Sequence, residues 1–112
     1  MTPLVGQHLL LDGTVTLMPR HCGDLHDIML DLAQLLGVQV LGVTAERQKW
    51  GLSAMMVIAE SHIAMHLHTA WRWGCIDVFS CKTFNTVLVV EWLAVQIGFQ
   101  ARRDWLLDRG VR

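Results

Sequence analysis

The stretch from Val87 to Ile97 is the most apolar in the chain, broken in the middle by Glu91 and stopped by Gly98. It is far short of the ~20 residues a membrane-spanning helix needs. Thr83 or Asn85 can cap a helix that Gly98 closes. A helix that is apolar on nearly every side must be covered from more than one direction. The chain therefore has to supply a sheet for one face and a further surface for the rest. With 112 residues it is one domain, able to bury roughly two-thirds of its unfolded surface. A hydrophobic fraction of 53% and a mean hydropathy of +0.38 exceed what one small core can hide, so a large oligomer interface is expected.

The second helix-forming pattern is amphipathic. Leu25, Ile28, Met29, Leu32, Leu35 and Leu36 recur at helical spacing over 24–36, with Asp24, Asp27, Asp31 and Gln34 on the wet face. Gly37 suits the C-terminal cap. Elsewhere the pattern is extended. QHLLLD (7–12) and GTVTLM (13–18) read as one or two strands with a turn at Gly13. VQVLGVT (38–44) and SAMMVIAE (53–60) are strands, AERQKWG (45–51) a polar loop, and IAMHLH (63–68) continues extended beyond Glu60-Ser61. TAWRWG (69–74) is a loop, CIDVFSC (75–81) an alternating strand, and FQARRDWLL (99–107) the last strand. The order β–α–β–β–β–α–β predicts an α+β two-layer sandwich, an antiparallel sheet backed by two helices.

A net charge of −1 and a pI near 6.6 give no footprint for nucleic acid or an acidic membrane. Cys22, Cys75 and Cys81 contain no CxxC pair, which argues against a disulfide framework and against a zinc finger. The opening residues lack a signal-peptide pattern, so a reducing cytoplasm is expected. His62, His66 and His68 have the even spacing that puts residues on one strand face, as metal ligands can be, but no fourth ligand stands near and no metal is expected. Trp71 and Trp73 are suited to stacking on a planar ligand or to covering a core edge. The arginines of RRDWLLDRGVR read as solvated charges.

Glu60-Ser61-His62 sets an acid, a hydroxyl and an imidazole at the end of a buried run. Together, VIAESHIAMH (57–66) and IDVFSC (76–81) resemble the prokaryotic S-adenosylmethionine decarboxylase family. HLLLD (8–12), VLGVT (40–44), Ser53 and RGV (109–111) extend the resemblance over most of the chain. The resemblance implies that the Glu60–Ser61 bond cleaves itself, giving a β chain of residues 1–60 and an α chain of 61–112. Ser61 then becomes a covalent pyruvoyl group, the cofactor. It further implies that His66, supported by Ser53, handles protons during processing, and that Cys81 is the proton donor in turnover. The pyruvoyl carbonyl takes a substrate amine as a Schiff base and accepts the electrons left when carbon dioxide departs, a step that feeds polyamine synthesis. A homodimer with active sites at its interface is expected.

The substrate loops depart from the family. Ala70 stands where a glutamate addresses the ribose, and Arg47 where an aromatic ring meets the adenine. Two substrate readings follow. In one, S-adenosylmethionine is retained, with Trp50, Trp71 or Trp73 stacking on its base. In the other, which these departures favour, the chemistry serves arginine or ornithine, with Glu46 as the carboxylate partner. A third reading, a processing-dead relative that only binds a partner, is opposed by intact Ser61, His66 and Cys81.

Overall fold

The computed structural model describes residues 5–110. Residues 1–4 and 111–112, including the last position of RGV, lie outside the described part.

Six strands form one antiparallel sheet: β1 (Gly6–Val15), β2 (Gln39–Gln48), β3 (Gly51–Ala59), β4 (Ser61–His68), β5 (Trp73–Ser80) and β6 (Phe99–Arg109), in the order β2-β3-β4-β5-β1-β6. Two helices, α1 (Cys22–Leu36) and α2 (Thr86–Ile97), cover one face, α1 over β2 and β3 and α2 against β6. This is the expected two-layer α+β sandwich. Among the described residues, no helix is long and apolar enough to cross a membrane.

Local chemistry explains the elements. In α1 the buried residues are Leu25, Met29, Leu32 and Ala33, one stripe at helical spacing. Gly37 closes it at φ 67°, its N–H donating to Gln34 O and that of Val38 to Ala33 O, both at 3.1 Å. Asn85, not Thr83, caps α2, its side chain accepting from Leu88 N at 3.1 Å. Val89, Leu93 and Ile97 of α2 are buried against the sheet, while Val87, Leu88 and Val95 stay exposed. The core beneath is built from alternate residues: Leu9, Leu11 and Val15, Met56 and Ile58, Ile63 and Met65, Ile76 and Val78.

Four details differ from expectation. First, β1 runs straight through Gly13 with no turn. A side chain there would strike Gln100 O and the Phe99 ring, so the glycine lets β6 cross closely at a register shift. Second, residues 45–48 are strand, and Lys49-Trp50 alone turn the chain from β2 into β3. β2 is an edge strand, and its mostly exposed, polar residues imitate a loop. Third, 53–68 is a hairpin rather than one extended path, with Ile58 facing Ser61 across the turn, so four strands separate the helices. Fourth, β6 continues past Leu107 to Arg109.

Among the described residues, the other face of the sheet carries no helix. Met55 and Val57 stand on it, 47% and 55% exposed, and Trp105 and Leu107 stand exposed on it at the far edge, on β6. Chemistry-bearing side chains are set among them.

Candidate active site

Two groups of residues occupy opposite ends of this open face. At one end is the β3–β4 turn. Ser61 opens β4 with φ at 123°, a region that disfavours any residue with a Cβ. Its strand neighbours are Ile58 on β3 and Ser80 on β5. Cys81 follows Ser80 directly, and its backbone N–H donates to Glu60 O at 3.4 Å. The carbonyl of the Glu60–Ser61 bond is thus held against the cysteine segment. Lys82 ties that segment down, its Nζ donating to Gly37 O and its N–H to Ser80 Oγ, both at 3.1 Å.

Beside this turn lies a cluster the sequence did not announce. His8, Phe79 and His62 stand in one cross-strand row, His8 stacked on Phe79 at 5.2 Å and edge-on to His62 at 5.6 Å. Arg109 Nη1 donates to His8 Nδ1 at 3.0 Å. A guanidinium can only donate, so the neutral ring carries its proton on Nε2. That nitrogen is buried without a hydrogen-bond partner among the described residues, 3.9 Å from Asp77 Oδ2. Burial holds the His8 pKa below its ordinary value, with His62 and Arg109 adding to the effect and Asp77 opposing it. His8, His62 and Asp77 have ligand atoms within 4.8 Å of one another. A metal-bound imidazole normally donates its other N–H. Arg109 donates into His8 instead, which opposes a cation on Nε2.

At the other end is an aromatic cup. Gln48, Trp50, Ser53, His66, His68, Trp71, Trp73 and Cys75 line a cavity of about 300 Å³. Trp50, His68 and Trp71 are near-parallel, with centroids 5.9 Å apart for the first pair and 4.2 Å for the second. Trp71 N–H donates to His68 Nδ1 at 3.0 Å and sets the β4–β5 turn. At the floor, Ser53 Oγ lies 3.0 Å from His66 Nδ1 and 2.6 Å from Gln48 Oε1. Cys75, directly across from His66, has its thiol pKa pushed up by burial first, then by the adjacent Asp12.

The structure therefore joins Ser61 with Glu60 and Cys81, joins Ser53 with His66, and joins Trp50 with Trp71. It does not join the first group to the others. His66 is five residues along β4 from Ser61, roughly 16 Å of strand. The three even-spaced histidines share a face but not a site, because six residues of strand separate His62 from His68, about 20 Å. Glu46 does not line the cup; it is exposed and accepts from Thr44 Oγ1 at 3.1 Å. Arg47 reaches away as well, donating to Arg20 O at 2.6 Å. Sequence reasoning missed Gln48, Cys75 and the His8–Arg109 pair. Gln48 becomes visible only once 45–51 is known to be a hairpin, which makes it a diagonal neighbour of Ser53.

A small α+β sheet protein with a strained Glu-Ser turn and a separate histidine cup defines a narrow class. The family model described as S-adenosylmethionine decarboxylase matches residues 19–110, and the chain belongs to that family. The S-adenosylmethionine decarboxylase proenzyme of Geobacillus kaustophilus is 31% identical over 62 residues, 55% of this chain and 50% of that protein. That of Pseudomonas paraeruginosa is 34% identical over 62 residues, 54% of this chain and 39% of the relative. The arginine decarboxylase proenzyme of Pyrobaculum arsenaticum is 29% identical over 86 residues, covering 71% of this chain and 65% of the relative. In these matches the chain spans from about two-fifths to two-thirds of each relative's length. The crystal structure of the adenosylmethionine decarboxylase from Aquifex aeolicus VF5 superposes with a TM-score of 0.80 at 16% identity, over 97% of this chain and 93% of that one, which establishes the fold.

Proposed function

We propose that this decarboxylase-family chain cuts itself between Glu60 and Ser61 and uses the pyruvoyl group so formed to decarboxylate S-adenosylmethionine. The observation that carries the reading is Ser61, a non-glycine residue held at φ 123° in a turn whose carbonyl is engaged by the Cys81 N–H. A strained peptide with a neighbouring hydroxyl is predisposed to acyl transfer. Ser61 Oγ attacks the Glu60 carbonyl carbon, the C–N bond breaks, and the amide becomes an ester. The Cys81 N–H is aimed at the oxygen on which charge develops. Removal of the Ser61 α-proton then expels the Glu60 carboxylate and ends the 1–60 chain. Water releases ammonia from the dehydrated residue and leaves a ketone at the start of 61–112.

The residues fit such a group, because position 61 lies across from Ser80 and next to the peptide whose carbonyl the Cys81 N–H engages. When formed, it supplies an electron-withdrawing carbonyl to a bound amine. The Cys81 thiol, exposed beside the turn, is the group positioned to return a proton.

His66 and Ser53 cannot serve Ser61 of their own chain across about 16 Å of strand. A homodimer of open faces brings the cup of one copy to the turn of the other, and the exposed Met55 and Val57 are the surface it buries. The substrate inference follows the cup. A guanidinium there requires a carboxylate, and none of the lining residues is acidic. Lys49 Nζ also lies 4.9 Å from the Trp50 ring centre, which repels a second cation. A flat, neutral base suits the Trp50–His68–Trp71 stack better. This reverses the preference for arginine or ornithine that the loop sequences suggested. Carbon dioxide release from S-adenosylmethionine, arginine and ornithine tests it. Exclusive turnover of arginine would overturn the substrate, and loss of all turnover without Ser61 is expected in Ser61→Ala.

A further inference from the structure

We infer that Gln48 is a positioning residue that fixes which nitrogen of His66 carries the proton, and so leaves Nε2 as the base inside the cup. The number of protons available along the chain decides the tautomer. The Ser53 hydroxyl has a single proton to give. It lies 2.6 Å from Gln48 Oε1, the shorter of its two contacts, and donates there. Its oxygen can then only accept from His66 Nδ1, 3.0 Å away. Nδ1 of the neutral ring is therefore protonated, and the lone pair is on Nε2, on a ring that lines the cavity.

The chain His66–Ser53–Gln48 also tolerates protonation at Nε2 without rearranging. The imidazolium still donates from Nδ1 to Ser53, and Ser53 still donates to Gln48. A base that must take up and return a proton benefits from supports that do not move when it does so. Without the Gln48 acceptor, the Ser53 proton is free to turn toward Nδ1. The ring then shifts its own proton to Nε2, and the cup loses its base. Gln48 owes its place to the two-residue turn at Lys49-Trp50, which brings the end of β2 beside Ser53.

This inference rests on the self-cleaving reading for its consequence but not for its test. Nitrogen NMR of the full-length Ser61→Ala chain, with histidine ¹⁵N-labelled, reads the His66 ring directly and needs no cleavage. Protonated Nδ1 is expected in that chain. Gln48→Ala should lower the Nδ1–H to Nε2–H ratio by roughly tenfold, the worth of about one hydrogen bond. Gln48→Glu, which keeps an acceptor oxygen, should preserve it. A proton on Nε2 in the parent, or a ratio indifferent to Gln48→Ala, overturns the inference. In the cleavable chain, Gln48→Ala should slow self-cleavage by roughly tenfold and move its pH midpoint, well short of the 10²–10⁴-fold cost of losing a general base outright. Gln48→Glu should restore the rate, and an unchanged rate and midpoint in Gln48→Ala would refute the functional half. If the cleavable chain never cleaves, the self-cleaving reading fails while the ring measurement still decides the role of Gln48.

Discussion

Ser61 holds a backbone conformation that glycine adopts freely and serine does not, so the strain at this position is open to measurement. Ser61→Gly should remain uncleaved and melt higher than Ser61→Ala by about 4 °C, the equivalent of roughly 1 kcal/mol released in a domain this size. Equal melting temperatures would mean that the turn stores nothing. Cys81 makes a different prediction, because its backbone N–H reaches the turn while the proposed mechanism gives its thiol the proton of turnover. Cys81→Ala keeps the backbone N–H that reaches Glu60 O. It should cleave normally and lose roughly 10²-fold or more in decarboxylation; turnover at the parent rate removes the thiol from its role. His8 predicts a pH effect. Its pKa is lowered in the folded state, chiefly by burial, so the unfolded chain takes up the proton first as the pH falls. Stability contributed by the neutral ring is full above the unfolded value near 6.5 and declines below it until the folded value is passed. Melting temperature should drop from pH 7 to pH 5 in the parent and drop less in His8→Gln, and parallel curves would contradict the assignment.

At the scale of elements, legibility followed burial. The stripe of α1, the all-round apolar α2 and the alternating β5 are each produced by contact with the core, and each could be read from spacing. The Asn85 cap is local chemistry of the same kind: Asn85→Ala should cost about 1 kcal/mol, seen as a lower urea midpoint with unchanged slope. A midpoint shift near zero would mean that packing of Val89 and Leu93 alone holds the first turn. Reading failed where an element has no core face to announce it. Residues 46–48 are paired to β3 yet exposed, so their side chains carry loop-like polarity in a strand. Gly13 looked like a turn because glycine's two uses, bending a chain and admitting a close neighbour, leave the same letter. The reversal at Glu60 was hidden for a related reason. Both strands of that hairpin are apolar, and the polar Glu60-Ser61-His62 between them reads equally as an interruption. The candidate catalytic residues were named through the family resemblance, whereas their partition into two ends of β4 required register, which no local pattern encodes.

On the scale of the whole molecule, the separation of Ser61–Cys81 from Ser53–His66 is the feature that most constrains function. In the proposed mechanism one copy carries both halves of the site without bringing them together. If two copies complete each other, co-expressed Ser61→Ala and His66→Ala chains should form hybrid sites in which only the His66→Ala chain is cut, although neither variant cleaves alone. Absence of cleavage in the mixture, with mixed dimers demonstrated, would require His66 to act within its own chain. The open face is the surface proposed for such pairing, with Met55, Val57, Trp105 and Leu107 exposed on it. Every part of the account depends on the 60–61 bond breaking itself, and the intact mass of freshly purified protein reads that event directly. The predicted result is two chains matching residues 1–60 and 61–112, the second carrying a ketone in place of its amino terminus. A single uncut chain near 12.7 kDa that persists on incubation and takes up no carbonyl reagent would contradict it.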